Sequence, residues 1–175
     1  MRRTLLLTGR PGVGKTTIVR KLIEALGPRA GGFFTEEILG PGGRKGFRVV
    51  TLDGRQSRLA HVDIRSKSSV GRYGVDVAAF ERVGVAALRA AIAQAEIVVF
   101  DEIGRMELFS PQFKSAVIKA LDCGRPVVAT VMSARHPWVD ALRQMPGVQT
   151  IEVTKRNRDE MTAQVLRWVE SGVWS

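Results

Sequence analysis

Gly9-Arg10-Pro11-Gly12-Val13-Gly14-Lys15-Thr16 decides how this chain folds. It fits G-x-x-x-x-G-K-[ST], the pattern of a phosphate-binding P-loop. The run before it, Thr4 to Thr8 (T-L-L-L-T), is apolar with β-branched ends and long enough for one buried strand. The run after it, Thr17 to Leu26, places Ile18, Val19, Leu22, Ile23, Ala25 and Leu26 at helical spacing. Strand, glycine-rich turn and helix form the context that gives the motif meaning.

Each residue type suits that loop. Gly9, Gly12 and Gly14 permit positive φ and close approach of backbone to ligand. The loop N–H groups then form an anion nest, reinforced by the partial positive charge of the helix N-terminus. Pro11 stiffens the turn. Lys15 is placed to reach the β- and γ-phosphates and counts as catalytic, and the Thr16 hydroxyl is a candidate Mg²⁺ ligand. Gly9, Arg10, Pro11, Gly12, Val13, Gly14, Lys15, Thr16 and Thr17 are therefore the first candidate nucleotide-binding residues.

Downstream, Gly27-Pro28 breaks the helix, and strands are expected over Gly32 to Leu39, Gly46 to Leu52 and Ser57 to Val62, separated by glycine-rich turns. Ile64 to Tyr73 reads as a loop or ragged strand, and Ala78 to Ala95 as one Ala-rich amphipathic helix. Glu96 to Phe100 and Pro126 to Met132 read as buried parallel strands, and Val148 to Val153 as an alternating one. Ser110-Pro111 opens a helix that stops at Gly124, a short helix follows Pro137, and Asn157 to Val169 forms the last. The pattern predicts an α/β fold: a P-loop NTPase-type three-layer sandwich with a mainly parallel sheet and an antiparallel strand insertion after the first helix. Residues 1–175 are expected to form a single domain. Ligands of such sheets bind at the carboxyl ends of the strands. The P-loop, Asp101-Glu102, the Met132 to His136 loop and Thr154 to Arg158 all fall there.

Asp101 follows four apolar residues, as in a Walker B strand, and is a candidate for holding Mg²⁺. Glu102 beside it suits a general base that orients or deprotonates water. Three arginines, Arg105, Arg135 and Arg10, compete for the role of neutralising transition-state charge, with Arg105 first. Thr35-Glu36-Glu37 ends a strand expected beside the P-loop. Thr154-Lys155-Arg156-Asn157-Arg158 lies where the base is expected and lacks the N-K-x-D guanine signature. Asn157 and Arg158 are candidate nucleotide contacts, and Asn157 with Glu160 also forms a capping-box-like pattern.

On G-R-P-G-V-G-K-T-T (9–17), G-F-F-T-E-E (32–37), G-F-R (46–48), D-E-I-G-R-M-E-L (101–108) and T-K-R-N-R (154–158), the chain resembles the THEP1 nucleoside-triphosphatases. The resemblance implies Mg²⁺-dependent hydrolysis of ATP, GTP, CTP and UTP to diphosphate and phosphate with broad base tolerance. It also implies a fold close to nucleotide kinases. Arg105 stands where that family usually carries lysine, which keeps the charge and changes a point charge into a planar fork.

Composition bounds the remaining classes. The 175 residues include 27 Lys and Arg against 17 Asp and Glu, a net charge of +10. That charge is spread through the middle third, which favours a solvated basic surface over a nucleic-acid site. No apolar run approaches a membrane span, and the stretch after Met1-Arg2-Arg3 is too short for a signal peptide. A cytoplasmic, monomeric protein is expected. Cys123 is alone, so no internal disulfide is possible. A hydrolase of nucleoside triphosphates is the first expectation. A kinase holding a small acceptor within Ala30 to Tyr73 is the second, and a nucleic-acid-stimulated ATPase the third.

Overall fold

The computed structural model describes residues 3–174; Met1, Arg2 and Ser175, the ends of the expected 1–175 domain, lie outside the described residues. The chain runs β1 (Arg3–Thr8), α1 (Lys15–Leu26), β2 (Ala30–Gly40), β3 (Gly43–Thr51), β4 (Gln56–His61), β5 (Ser69–Val70) and β6 (Tyr73–Val75). It continues with α2 (Val77–Phe80), α3 (Ala86–Gln94), β7 (Ile97–Ile103), α4 (Pro111–Leu121), β8 (Pro126–Val131), α5 (Pro137–Arg143), β9 (Val148–Glu152) and α6 (Arg158–Ser171).

The nine strands of the described residues join one sheet in the order β5-β6-β4-β3-β2-β7-β8-β1-β9. β2, β7, β8, β1 and β9 are parallel neighbours, and β3 to β6 extend the sheet antiparallel from β2. The antiparallel strand insertion expected after the first helix is present and continues the same sheet. β2 pairs in parallel with β7 over Ala30 to Phe33 and antiparallel with β3 from Phe33 to Gly40.

The apolar strands divide their side chains between two cores, as the period of two requires. Leu5, Leu7, Val99 and Val128 pack with Ile18, Val19 and Leu22 of α1 and Met161, Val165 and Trp168 of α6. Leu6, Val98, Phe100, Val127 and Ala129 face α3 and α4 on the other side. There Phe33, Phe80, Phe100 and Phe113 meet edge to face or tilted, Phe80 to Phe113 at 5.3 Å and Phe33 to Phe80 at 5.7 Å. They come from β2, α2, β7 and α4, and so lock the junction of the two sheet halves.

Local signals place most boundaries. Ser110 caps α4 by accepting from the Phe113 amide at 3.0 Å, with Pro111 in the first turn. Two expectations need correction. The helix expected over 78–95 is interrupted by a wide π turn, Glu81–Val85, where Gly84 packs against the Phe80 ring. The strand expected to end at Phe100 continues to Ile103, carrying Asp101 and Glu102 within it. The stretch 64–73, read as loop or ragged strand, is mostly loop with the two-residue β5, and it leads into β6.

Gly32 shows why G-G-F-F begins β2. Its φ is +130°, and a Cβ there would sit 1.8 Å from the Val99 carbonyl oxygen on β7. Its neighbour Gly31 lets Ala91 and Ala95 of the Ala-rich helix approach the same strand. Gly32→Ala should therefore force β2 away from β7 and destabilise the fold by about 4 kcal/mol or more, read as a lowered urea midpoint.

Candidate active site

At the carboxyl ends of β1, β7 and β8 lies a cleft of about 740 Å³, beside Thr35-Glu36-Glu37, which lie within β2 and not at its expected end. The P-loop forms its floor. Gly9, Gly12 and Gly14 all have positive φ, as the motif demands, and Gly14 in the left-handed region leads directly into α1. No side chain caps that helix, so the amides of its first turn are open to an anion, while the Val13 amide inside the loop donates to the Arg10 carbonyl at 3.1 Å. Lys15 lies across the loop, its Nζ donating to the Gly9 carbonyl at 2.6 Å.

Asp101 is the hub. It is 2% exposed and accepts from three hydroxyls on three other elements. Thr16 Oγ1 of α1 lies at 3.0 Å, Thr130 Oγ1 of β8 at 2.5 Å and Thr35 Oγ1 of β2 at 3.4 Å. Burial raises its pKa, while the bonds from Thr130 and Thr16 and the Lys15 charge pull it down. Thr16 and Asp101, each read from the sequence as a candidate Mg²⁺ ligand, are in direct contact across 85 residues. The Asp101–Glu102 peptide is cis.

Glu102 follows, half-buried and lining the cleft. Burial and the neighbouring Asp101 raise its pKa, and Lys15 opposes them. A further carboxyl belongs to the same cluster: Glu107, 3% exposed, on the short 3-10 turn after β7. Its pKa lies well above the ordinary value, first from burial and then from Glu102, with the Glu107 and Gly104 amides opposing. Gly104 makes the closeness possible. A Cβ at that position would lie 2.6 Å from Glu102 Oε1 and 2.9 Å from Glu107 Oε2. The sequence offered Glu107 only as part of D-E-I-G-R-M-E-L; an acid between apolar residues on a turn was the signal.

The three candidate arginines separate. Arg105 lines the cleft. Arg135 is 93% exposed at its side chain and pairs with Asp140 at 3.4 Å, outside the cleft lining. Arg10 is exposed and also outside it. Arg20 of α1, not singled out from sequence, does line it.

The 154–158 segment sits against the outer side of the P-loop. Arg158 Nη1 donates to the Val13 carbonyl at 3.3 Å. Asn157 does not cap α6 with its side chain. Its Oδ1 accepts from the Thr154 amide and its Nδ2 donates to the Glu152 carbonyl, both at 2.8 Å. The capping-box pattern with Glu160 is therefore not formed, because the amide is spent on closing the turn after β9. His136 also serves a helix: its Nδ1 accepts from the Trp138 amide at the start of α5.

Comparison with known proteins agrees with this geometry. A family model described as NTPase matches residues 4–166. Nucleoside-triphosphatase THEP1 of Thermotoga petrophila is 41% identical over 162 residues, covering 93% of this chain and 90% of that protein. The crystal structure of THEP1 from the hyperthermophile Aquifex aeolicus superposes with a TM-score of 0.88 at 40% identity, over 95% of this chain and 99% of that one. The solution structure of a human cancer-related nucleoside triphosphatase superposes at 0.83 and 36% identity, covering 98% and 99%. With the family model spanning nearly the whole chain and the P-loop and its acidic partner in direct contact, this chain belongs to the NTPase family of the THEP1 nucleoside-triphosphatases.

Proposed function

We propose that this protein, acting as a single cytoplasmic domain, hydrolyses nucleoside triphosphates to diphosphate and phosphate with broad base tolerance. The observation that carries the reading is the contact of Thr16 and Asp101 at 3.0 Å beneath the P-loop amides, with Glu102 next along β7. No helix of the described residues is long and apolar enough to cross a membrane.

The donor set fits Mg²⁺. The Thr16 hydroxyl and the Asp101 carboxylate are hard oxygen ligands on one spot. Among the described residues, no three of His, Cys, Asp and Glu form a metal cage of their own. That suits an ion held by one carboxylate and substrate phosphates. When bound, Mg²⁺ neutralises charge on the β- and γ-phosphates. The loop amides and Lys15 hold and orient those phosphates. Glu102 accepts the proton of the attacking water, and the raised pKa of a half-buried carboxyl makes it a better base than a surface one. Burial and the Glu102 charge push the pKa of Glu107 beside it well above its ordinary value, so the two acids oppose each other's ionisation. Arg105 meets charge that develops on the transferred phosphoryl group. Arg158, fixed against Val13, supports the loop and borders the region left for the base. Asn157 contributes by fixing that turn.

Glu102→Ala should keep triphosphate binding and lose about 10²- to 10⁴-fold in phosphate release. Normal release by that variant removes Glu102 as base. Lys15→Ala should weaken triphosphate binding and abolish turnover, and Arg105→Ala should lower kcat by about 10³-fold with little change in KM. A colorimetric phosphate assay and titration calorimetry with ATP, GTP, CTP and UTP check all three.

Glu107 yields a pH prediction. Its pKa in the folded chain is raised above the usual 4.5. A raised carboxyl contributes fully below the unfolded value, and that contribution is lost as pH rises toward the folded one. Glu107→Gln is neutral at every pH. Its melting temperature should match the wild type at about pH 4 and exceed it at about pH 8. Glu107→Ala, which leaves a hole, should melt lower at both.

A further inference from the structure

The cleft is larger than a triphosphate end and a water require. Its outer part is walled by β2, β3 and β4, and by the segments after β7 and β8. Phe47, Leu59, Val70, Met106 and Met132 supply apolar lining. Nothing in the hydrolytic step uses them. Thr35 touches Asp101, and Glu37 lies two residues farther along the same face of β2, about 7 Å away. Glu37 stands opposite Phe47 in the β2–β3 register.

This outer wall is organised. Arg44 donates to Glu37 at 3.0 Å and to the Tyr73 hydroxyl at 3.0 Å, and its guanidinium lies 4.8 Å from the Phe47 ring centre. Arg72 donates to the Arg44 carbonyl at 2.6 Å and to the Tyr73 hydroxyl at 3.2 Å. Tyr73 meets Phe47 edge to face at 5.5 Å. An exposed arginine held by three partners is already ordered before anything binds, so little conformational entropy is lost on binding. Arg44 and Glu37 neutralise each other, while Glu36 is shared by Arg20 at 3.7 Å and Arg48 at 3.6 Å. Phe47 is therefore flanked by a donor and an acceptor that are paired with each other, a polar edge that is neutral in itself. Methionines on the opposite side adapt to a flat ligand.

We propose that this outer part of the cleft is a subsite for a second small molecule: a neutral heteroaromatic alcohol of nucleoside size, positioned as phosphoryl acceptor in place of water. The proposal rests on the triphosphate-cleaving reading of the inner site. The ring packs against Phe47 and its polar edge pairs with Glu37 and Arg44. Its hydroxyl reaches the γ-phosphate. The acceptor oxygen forms a bond to the γ-phosphorus, and the bond from that phosphorus to the β,γ-bridging oxygen breaks. The electron pair stays on the diphosphate, and the hydroxyl proton passes to Glu102. Nothing is oxidised or reduced.

The test uses the full chain with Mg²⁺ and ATP labelled at the γ-phosphate. The probes are the four ribonucleosides and hydroxymethyl-substituted pyridine and pyrimidine, each added separately, with ribonucleoside monophosphates as a charged control. The expected result is label on at least one neutral probe. Phe47→Ala should reduce that transfer about tenfold or more while phosphate release without a probe stays within about twofold. Glu37→Gln, exposed and harmless to folding, should reduce transfer in the same way. Label only in inorganic phosphate in every arm overturns the subsite and leaves the hydrolytic reading standing. Transfer that neither variant diminishes, or transfer to the monophosphates alone, also overturns it. Absence of any phosphate release in every arm overturns the hydrolytic reading with it.

Discussion

A carboxylate shielded from water holds the working edge of this molecule together. Asp101 is almost fully buried, and burying a charge costs several kcal/mol unless it is paired or well hydrogen-bonded. Here the compensation comes from three threonines, on α1, β2 and β8. Hydrogen bonds to an ionised acceptor are the stronger kind. The same atoms thus fix how the P-loop helix, the first strand of the antiparallel half and the central parallel strands sit together. Removing the carboxylate would strip three hydroxyls of their partner at once. Fold and site share one interaction.

The second constraint is the dual membership of β2. Its first four residues belong to the parallel ladder and the rest to the antiparallel one. The phenylalanine cluster packs over that changeover, so the two halves share one core. This is why Thr35 can touch Asp101 while Glu37, a few ångströms on, already faces the outer cleft. A strand that changes partners midway delivers residues to both ends of the site at fixed spacing.

The inner site was largely legible. The P-loop and the acidic strand are motifs because phosphate binding tolerates few residue types at few spacings, and Lys15, Thr16 and Asp101 converge as their spacing implied. What stayed hidden depended on tertiary packing. Thr130 is a threonine in a β-branched strand, and only the sheet order puts it on Asp101. Glu107 gains its significance from Gly104, whose lack of a side chain lets two acids approach. Asn157 carries the local signature of a helix cap, yet the turn from β9 offers its amide two backbone partners, and those won. The π turn inside the 78–95 stretch lies where Gly84 leaves room for the Phe80 ring, a contact that helical periodicity does not register. Arg44 and Tyr73, 29 residues apart, meet only because β3 to β6 form a meander.

The β2–β3 hairpin reaches beyond the last rung that β2 shares with β7, and its turn at 41–42 is exposed. Among descendants of a common ancestor, that tip can lengthen, shorten or change composition without disturbing any residue that touches phosphate. Selection can then act on the two ends of the cleft separately, holding the inner end fixed while the outer end drifts toward new chemistry.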